Sequence, residues 1–225
     1  MTPAFLYSSA FILRTIIYID GFNFYYRAVK KSPFKWLDFK SLFTKILYSN
    51  HQITQIKYFT ALVSGKYNAS KPLKQQVYLR ALQTYIPEIK IYYGHFLTHE
   101  VFAPSADPAD KNKSVKIIKT EEKGSDVNIA VHLLNDAWLN EYDCGLIVSN
   151  DSDLAESMKL VRKYHPTKIL GLVMPGKGHP SKELMKYATF KKELEKVFLE
   201  IHNCQILFPE LIFQNLLIGE HFLLC

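Results

Sequence analysis

Apolar positions along the chain fall into short continuous runs that alternate with stretches of helical spacing. "RTIIYID" (14–20) is β-branched and aromatic and stops at the turn-forming "DGFN", as a buried strand does where it leaves a sheet. A short helix is expected from Asn23. "WLDFKSLFTKIL" (36–47) has apolar residues at helical spacing, with Asp38 placed to cap it. "QIKYFTALV" (55–63) reads as a second strand, "NASKPLKQQVYLRALQTY" (68–85) as a helix stopped by Pro87, and "EIKIYYGHFL" (88–97) as a third strand. From there to about residue 120, prolines and lysines predict an exposed hairpin or loop.

The second half repeats the alternation. "GSDVNIAVHLLNDAWLN" (124–140) is helical, "CGLIVS" (144–149) a buried strand, "DLAESMKLVRKY" (153–164) a helix and "TKILGLVM" (167–174) a strand. "PSKELMKYA" (180–188) predicts one more helix, and "FKKELEKVFLEI" (190–201) fits either a strand or an amphipathic helix. Strands alternating with helices imply a parallel, doubly wound sheet covered on both faces. Sites in such sheets form beyond the carboxyl ends of the strands, near the point where strand order reverses. Asp20, Asp151 and Asp153 all follow predicted strands.

Composition adds bounds. The 225 residues, 48% hydrophobic, are enough for one main α/β domain. A formal net charge of +7 favours an anionic partner such as nucleic acid. Three cysteines without a CxxC pair suggest neither a disulfide framework nor a zinc site, and a reducing cytoplasm fits best. Residues 1–13 are apolar but lack a basic flank and fall short of the ~20 residues of a membrane span. They read as an N-terminal extension, and no membrane partner is expected.

Against that positive balance stands a set of carboxylates. A single Asp after a strand is usually a turn former or a helix cap. If Asp20, Asp126, Asp151 and Asp153 converge on one crevice, however, their repulsion destabilises the fold unless a cation sits among them. Hard oxygen donors select Mg²⁺ or Mn²⁺.

Four ordered stretches, "YIDGFNFYY" (18–26), "QQVYLRAL" (75–82), "EEKGSDVNIAVHLLNDAW" (121–138) and "VSNDSDL" (148–154), resemble the NYN family, the branch of PIN-like nucleases that includes the LabA-like proteins. The resemblance covers residues 14 to 190 and leaves 191–225 as a C-terminal extension, whose apolar tail is expected to pack on the domain or mediate homo-oligomerisation. It implies a PIN-like three-layer sandwich with a doubly wound, mainly parallel central sheet. It also implies a ribonuclease that hydrolyses RNA phosphodiesters through a carboxylate-bound divalent metal and activated water.

Residue by residue, Asp20 matches the first-strand metal ligand and Asn23 the polar residue that shapes the site. Asp126 matches the helix-borne carboxylate, Asp151 and Asp153 the acidic pair after the fourth core strand, and Ser149 the small hydroxyl before that pair. One departure is His132, where similar sequences often carry Asp; by helical phase it lies away from Asp126, as a core or rim residue. Asp136, one turn further, is expected to face solvent. Lys177 and Lys182 are candidates for holding flanking phosphates, and Lys111, Lys113, Lys116 and Lys119 form either a second basic strip or a charged strand edge. Tyr25 and Tyr26 are candidates for stacking bases, one of the two being expected in the core. Two alternatives stay open: a non-catalytic RNA-binding module and, by resemblance alone, a relative labelled as an aromatic-ring hydroxylase.

Overall fold

A computed structural model describes residues 11–32, 36–64, 70–106, 113–176 and 178–194. The first strand, β1 (Leu13–Asp20), runs into α1 (Gly21–Phe24), which continues as a π-helical turn over Tyr25–Val29. There follow α2 (Phe39–Ile46), β2 (His51–Thr60), α3 (Ser70–Tyr85) and β3 (Ile89–Tyr93). A pair, β4 (His95–Pro104) and β5 (Ser114–Lys123), precedes α4 (Ser125–Trp138) and β6 (Cys144–Val148). A 3-10 turn at Ser152–Leu154 opens α5 (Ala155–Tyr164), and β7 (Ile169–Met174), α6 (Lys182–Met185) and β8 (Phe190–Glu193) complete the order.

Six strands form one parallel sheet in the order β3-β2-β1-β6-β7-β8. The order reverses at β1, whose residues Thr15 to Asp20 are all buried because helices cover both faces. Ile17 and Ile19 point into a core shared with Phe39, Phe43 and Leu82 of α2 and α3. Ile16 and Tyr18, on alternate positions, point into the opposite core with Ile129 and Leu133 of α4 and Met158 and Val161 of α5. The result is the expected α/β sandwich, with strand ends and a topological switch lying between β1 and β6.

Two sequence expectations differ in detail, and a third, left open between strand and helix, is partly resolved. The predicted third strand (88–97) breaks at Gly94. There the Gly94 amide bonds the Thr60 carbonyl at 2.8 Å, and a Cβ would collide with the Glu122 carboxylate and the Lys123 carbonyl. The chain therefore leaves the sheet, and β4 pairs antiparallel with β5 along its whole length, from His95 opposite Lys123 to Pro104 opposite Ser114. The helix predicted over 180–188 is confined to the four residues of α6. The ambiguous stretch from 190 begins as a strand, while the remainder from residue 195 lies outside the described residues, as do the first ten.

A fourth expectation is reversed. Asp136, expected to face solvent, is 4% exposed and takes the Lys57 ammonium at 2.6 Å and the Tyr18 hydroxyl at 2.6 Å. Lys57 sits in β2 with its side chain on the α4 face, so the helix can retain a buried carboxylate opposite it. The pair is internal to the fold.

Candidate active site

Asp20 is the last residue of β1, 4% exposed, and it caps the short helix that follows. Its Oδ1 accepts from the Asn23 amide at 2.9 Å and its Oδ2 from the Ser149 hydroxyl at 2.8 Å. The fully buried Ser149 oxygen accepts in turn from the Asp151 amide at 3.0 Å. Asn23 Oδ1 accepts from the Asn150 amide at 3.2 Å, so the loops after β1 and β6 are stitched together by "DGFN" and "SND". Asn150 extends the network: its side chain donates to the His179 carbonyl at 3.1 Å and accepts from the Ser181 amide at 2.7 Å. Three loops at the carboxyl edge of the sheet are thereby held as one unit.

Around that unit gathers uncompensated negative charge. Asp126, in the first turn of α4, has its pKa pushed up to about 6, first by burial and then by the charges of Asp20, Asp151, Glu122 and Asp153. Asp20 is also raised, chiefly by burial; the Asn23 amide and Ser149 hydroxyl oppose this, while Asp151 and Glu122 add to it. Asp151 caps the 3-10 turn by accepting from the Asp153 amide at 3.0 Å, and Asp153 itself is exposed at the rim. The fold thus brings Asp20, Asp126 and Asp151 into one field.

Glu122, at the inner end of β5, was not among the residues singled out from the sequence. Its Oε1 accepts from Ser125 at 3.2 Å (amide) and 2.8 Å (hydroxyl), tying the hairpin to the start of α4. The signal was present in "EEKGSD", but a run of charges before a helix reads as solvated until the turn at Gly94 folds it inward.

The donor set suits a hard divalent cation: carboxylates only, with a second lone pair left on each Asp20 oxygen. Among the described residues no three acidic, His or Cys side chains are grouped closely enough to hold an ion as they stand. The pKa of Asp126 is raised first by burial and then by the neighbouring carboxylates, and a cation would offset both, so the residues fit such an ion in chemistry and in charge.

Other candidates fall elsewhere. His132 belongs to the Lys57–Asp136 pair: its Nδ1 lies 3.3 Å from Lys57 Nζ and its ring 4.2 Å from that of Tyr92. Burial, then the Lys57 charge, holds its pKa down. Both Tyr25 and Tyr26 are exposed, contrary to the expectation that one is core, because the π-turn carries them outward together and Phe24 takes the buried position. Lys116 is paired with Glu100, and Lys119 and Lys123 with Glu121, so the β5 strip is largely neutralised. Lys182 is exposed at the start of α6, beside the loop that Asn150 anchors. Lys111 and Lys177 lie outside the described residues.

The chain is 32% identical over 208 residues to 6-hydroxy-3-succinoylpyridine 3-monooxygenase of Pseudomonas putida, a match covering 80% of the chain and 66% of that relative's length. A crystal structure of a protein of unknown function from Vibrio parahaemolyticus superposes with a TM-score of 0.53 at 14% identity, covering 83% of the chain and 96% of that protein, which shows a shared fold. The NYN domain, generally RNase-like, matches residues 14–193 and so takes in every carboxylate of the crevice. The chain belongs to the NYN domain family.

Proposed function

We propose that the protein is a divalent-metal-dependent ribonuclease acting at the crevice between β1, α4 and β6. The observation that carries this reading is the coupled, uncompensated charge of Asp20, Asp126 and Asp151 at the switch point of the sheet. These three residues would hold the cation, Mg²⁺ or Mn²⁺ by donor type, with Asp153 and Glu122 at its margin. When bound, that ion supplies a water acidic enough to act as a nucleophile toward a phosphodiester. Ser149 and Asn23 fix the Asp20 carboxylate, so that it does not have to reorganise as charge develops. Lys182 and Lys177 hold flanking phosphates, offsetting the repulsion between an acidic centre and a polyanion.

No helix among the described residues is long and apolar enough to cross a membrane. The substrate we assign is RNA in the cytoplasm. Self-association through the 191–225 extension remains an expectation that falls almost wholly outside the described residues.

A second reading, hydroxylation of an aromatic ring, is favoured by the name of the Pseudomonas relative. One experiment separates the two. Purified protein is incubated with single-stranded RNA and Mn²⁺, with and without EDTA, and in parallel with 6-hydroxy-3-succinoylpyridine, oxygen and a reductant. Metal-dependent RNA cleavage that is lost in Asp151→Asn supports the nuclease. Ring hydroxylation without RNA cleavage would replace it.

A further inference from the structure

A cavity of about 320 Å³ opens on the α3 face of the sheet, next to the carboxylate crevice. Gly21, which directly follows Asp20, forms part of its wall, and Tyr58 of β2 lies behind it. The volume is at the small end of those that enclose a planar ligand. Aromatic rings dominate the lining: Phe22, Trp36 and Tyr78 inside, with Tyr25 and Tyr26 exposed at its border.

Two features ask for a ligand with both a polar edge and a negative charge. Tyr58 is 7% exposed and lines the cavity, yet its hydroxyl has no hydrogen-bond partner among the described residues. The phenol oxygen is not among the sealed, unpartnered polar atoms, so it opens to the cavity and can donate to a ligand there. Burial, then the Asp20 charge, raises its pKa, so it remains a donor. Three exposed lysines, Lys30, Lys71 and Lys74, also line the opening, and none is in an ion pair among the described residues. Lys30 lies over the Tyr26 ring at 4.7 Å, so cation and aromatic face are presented together.

We propose that this cavity seats one unstacked base of the RNA strand, adjacent to the scissile phosphate, with the phenol of Tyr58 donating to the base edge. The inference rests on the ribonuclease reading and names a subsite for its substrate. A base in the cavity leaves its ribose at the mouth, between Asp20 on one side and the lysines on the other. The next phosphates then meet Lys71 and Lys74, and neighbouring bases meet Tyr25 and Tyr26, in the pairing of aromatic faces with backbone cations that serves single strands. A free aromatic acid would satisfy the rings and one lysine. The spread of three cations and two outer tyrosines fits a strand better.

The test is calorimetric and uses the full chain in EDTA, so that binding is read without cleavage. Pentaadenylate and pentauridylate are each compared with the same oligonucleotide lacking its central base, which keeps every phosphate. Removal of the base is expected to weaken binding about tenfold or more for at least one of the two, within the range for stacking on aromatic side chains. Tyr58→Phe, which keeps the ring volume, should shrink that gap severalfold. Lys71→Ala with Lys74→Ala should weaken intact and abasic strands alike. Equal affinity for intact and abasic strands overturns the proposal. So does saturable binding of 6-hydroxynicotinate, a hydroxypyridine carboxylic acid, that intact strands fail to displace. Because no metal is present, a base-dependent affinity stands even if the protein proves not to cleave RNA.

Discussion

Helix α4 carries two carboxylates that face opposite fates. Asp136, near its end, is buried against Lys57 and Tyr18, with its charge balanced inside the protein. Asp126, in its first turn, shares a crevice with Asp20, Asp151 and Glu122, and no cation of the described chain offsets them. Burial alone does not separate a structural acid from a functional one, since Asp20 and Asp136 are each 4% exposed. What differs is the sign of the neighbours. A paired carboxylate stabilises the fold only while its partner stays, whereas a like-charged cluster weakens the fold unless a cation from outside the chain joins it.

That contrast can be broken most severely at the paired site. Lys57→Met leaves Asp136 buried without its cation and should lower stability by about 3–5 kcal/mol, while Lys57→Met combined with Asp136→Leu should recover most of the loss. Denaturant unfolding measures both, and equal damage in the single and double variants would remove the pairing argument. At the crevice the same class of change should act on chemistry instead. Asp20→Asn, Asp126→Asn and Asp151→Asn are each expected to reduce RNA cleavage on the order of 100-fold or more, with the apo fold as stable as the parent or more so. Glu122→Gln and Asp153→Asn should cost about tenfold. Cleavage rates over a Mn²⁺ titration decide it, and parental rates in Asp151→Asn would sink the assignment.

Acidity sharpens the comparison. The folded pKa of Asp126, about 6, lies above the ordinary value of 3.8, so its ionised form weakens the fold. Its protonation favours the native state, and that advantage fades as pH rises from about 4 through about 6. Asp126→Asn should therefore gain melting temperature over the parent increasingly across that interval. Stabilisation of the parent by added Mn²⁺ should grow over the same range. A gap independent of pH in differential scanning fluorimetry would mean that neither burial nor the neighbouring carboxylates raise the Asp126 pKa. The smallest effect is expected at Lys182→Ala, which should make the dependence of log affinity on log salt shallower by roughly 0.7, one phosphate contact on a single strand. An unchanged slope in anisotropy titrations would return that lysine to solvent.

The parts legible in the sequence were those fixed by local pattern. β1 and β6 are unbroken apolar runs, and "DGFN" and "SNDSDL" mark where each leaves the sheet, so periodicity and turn chemistry put Asp20, Asp151 and Asp153 at strand ends, while Asn23, Ser149 and Asp126 rest on the resemblance to the NYN family. The burial of Asp136 is not legible in the sequence, because its neighbour Lys57 is far along the chain and lies in a strand whose helix-facing side no spacing rule reveals. Glu122 and the break at Gly94 share a cause: both depend on a hairpin folding back onto α4, a long-range event. Tyr25 and Tyr26 were assigned by α-helical phase, and a π-turn has a different one.

The strand order also governs how the molecule comes into being. β1 lies at the middle of the sheet, and its neighbour on one side, β6, is made more than a hundred residues later; the hydrogen bond from Ser149 to Asp20 spans 129 positions. During synthesis the apolar β1 must wait, paired at most with β2, for on the order of ten seconds at ribosomal rates of about 5–20 residues per second. Parallel pairings of such separation also close slowly once the chain is released. The nascent chain therefore carries an unfinished sheet edge through much of its elongation, and the carboxylate crevice, built across the β1–β6 seam, cannot exist before β6 has been made and paired.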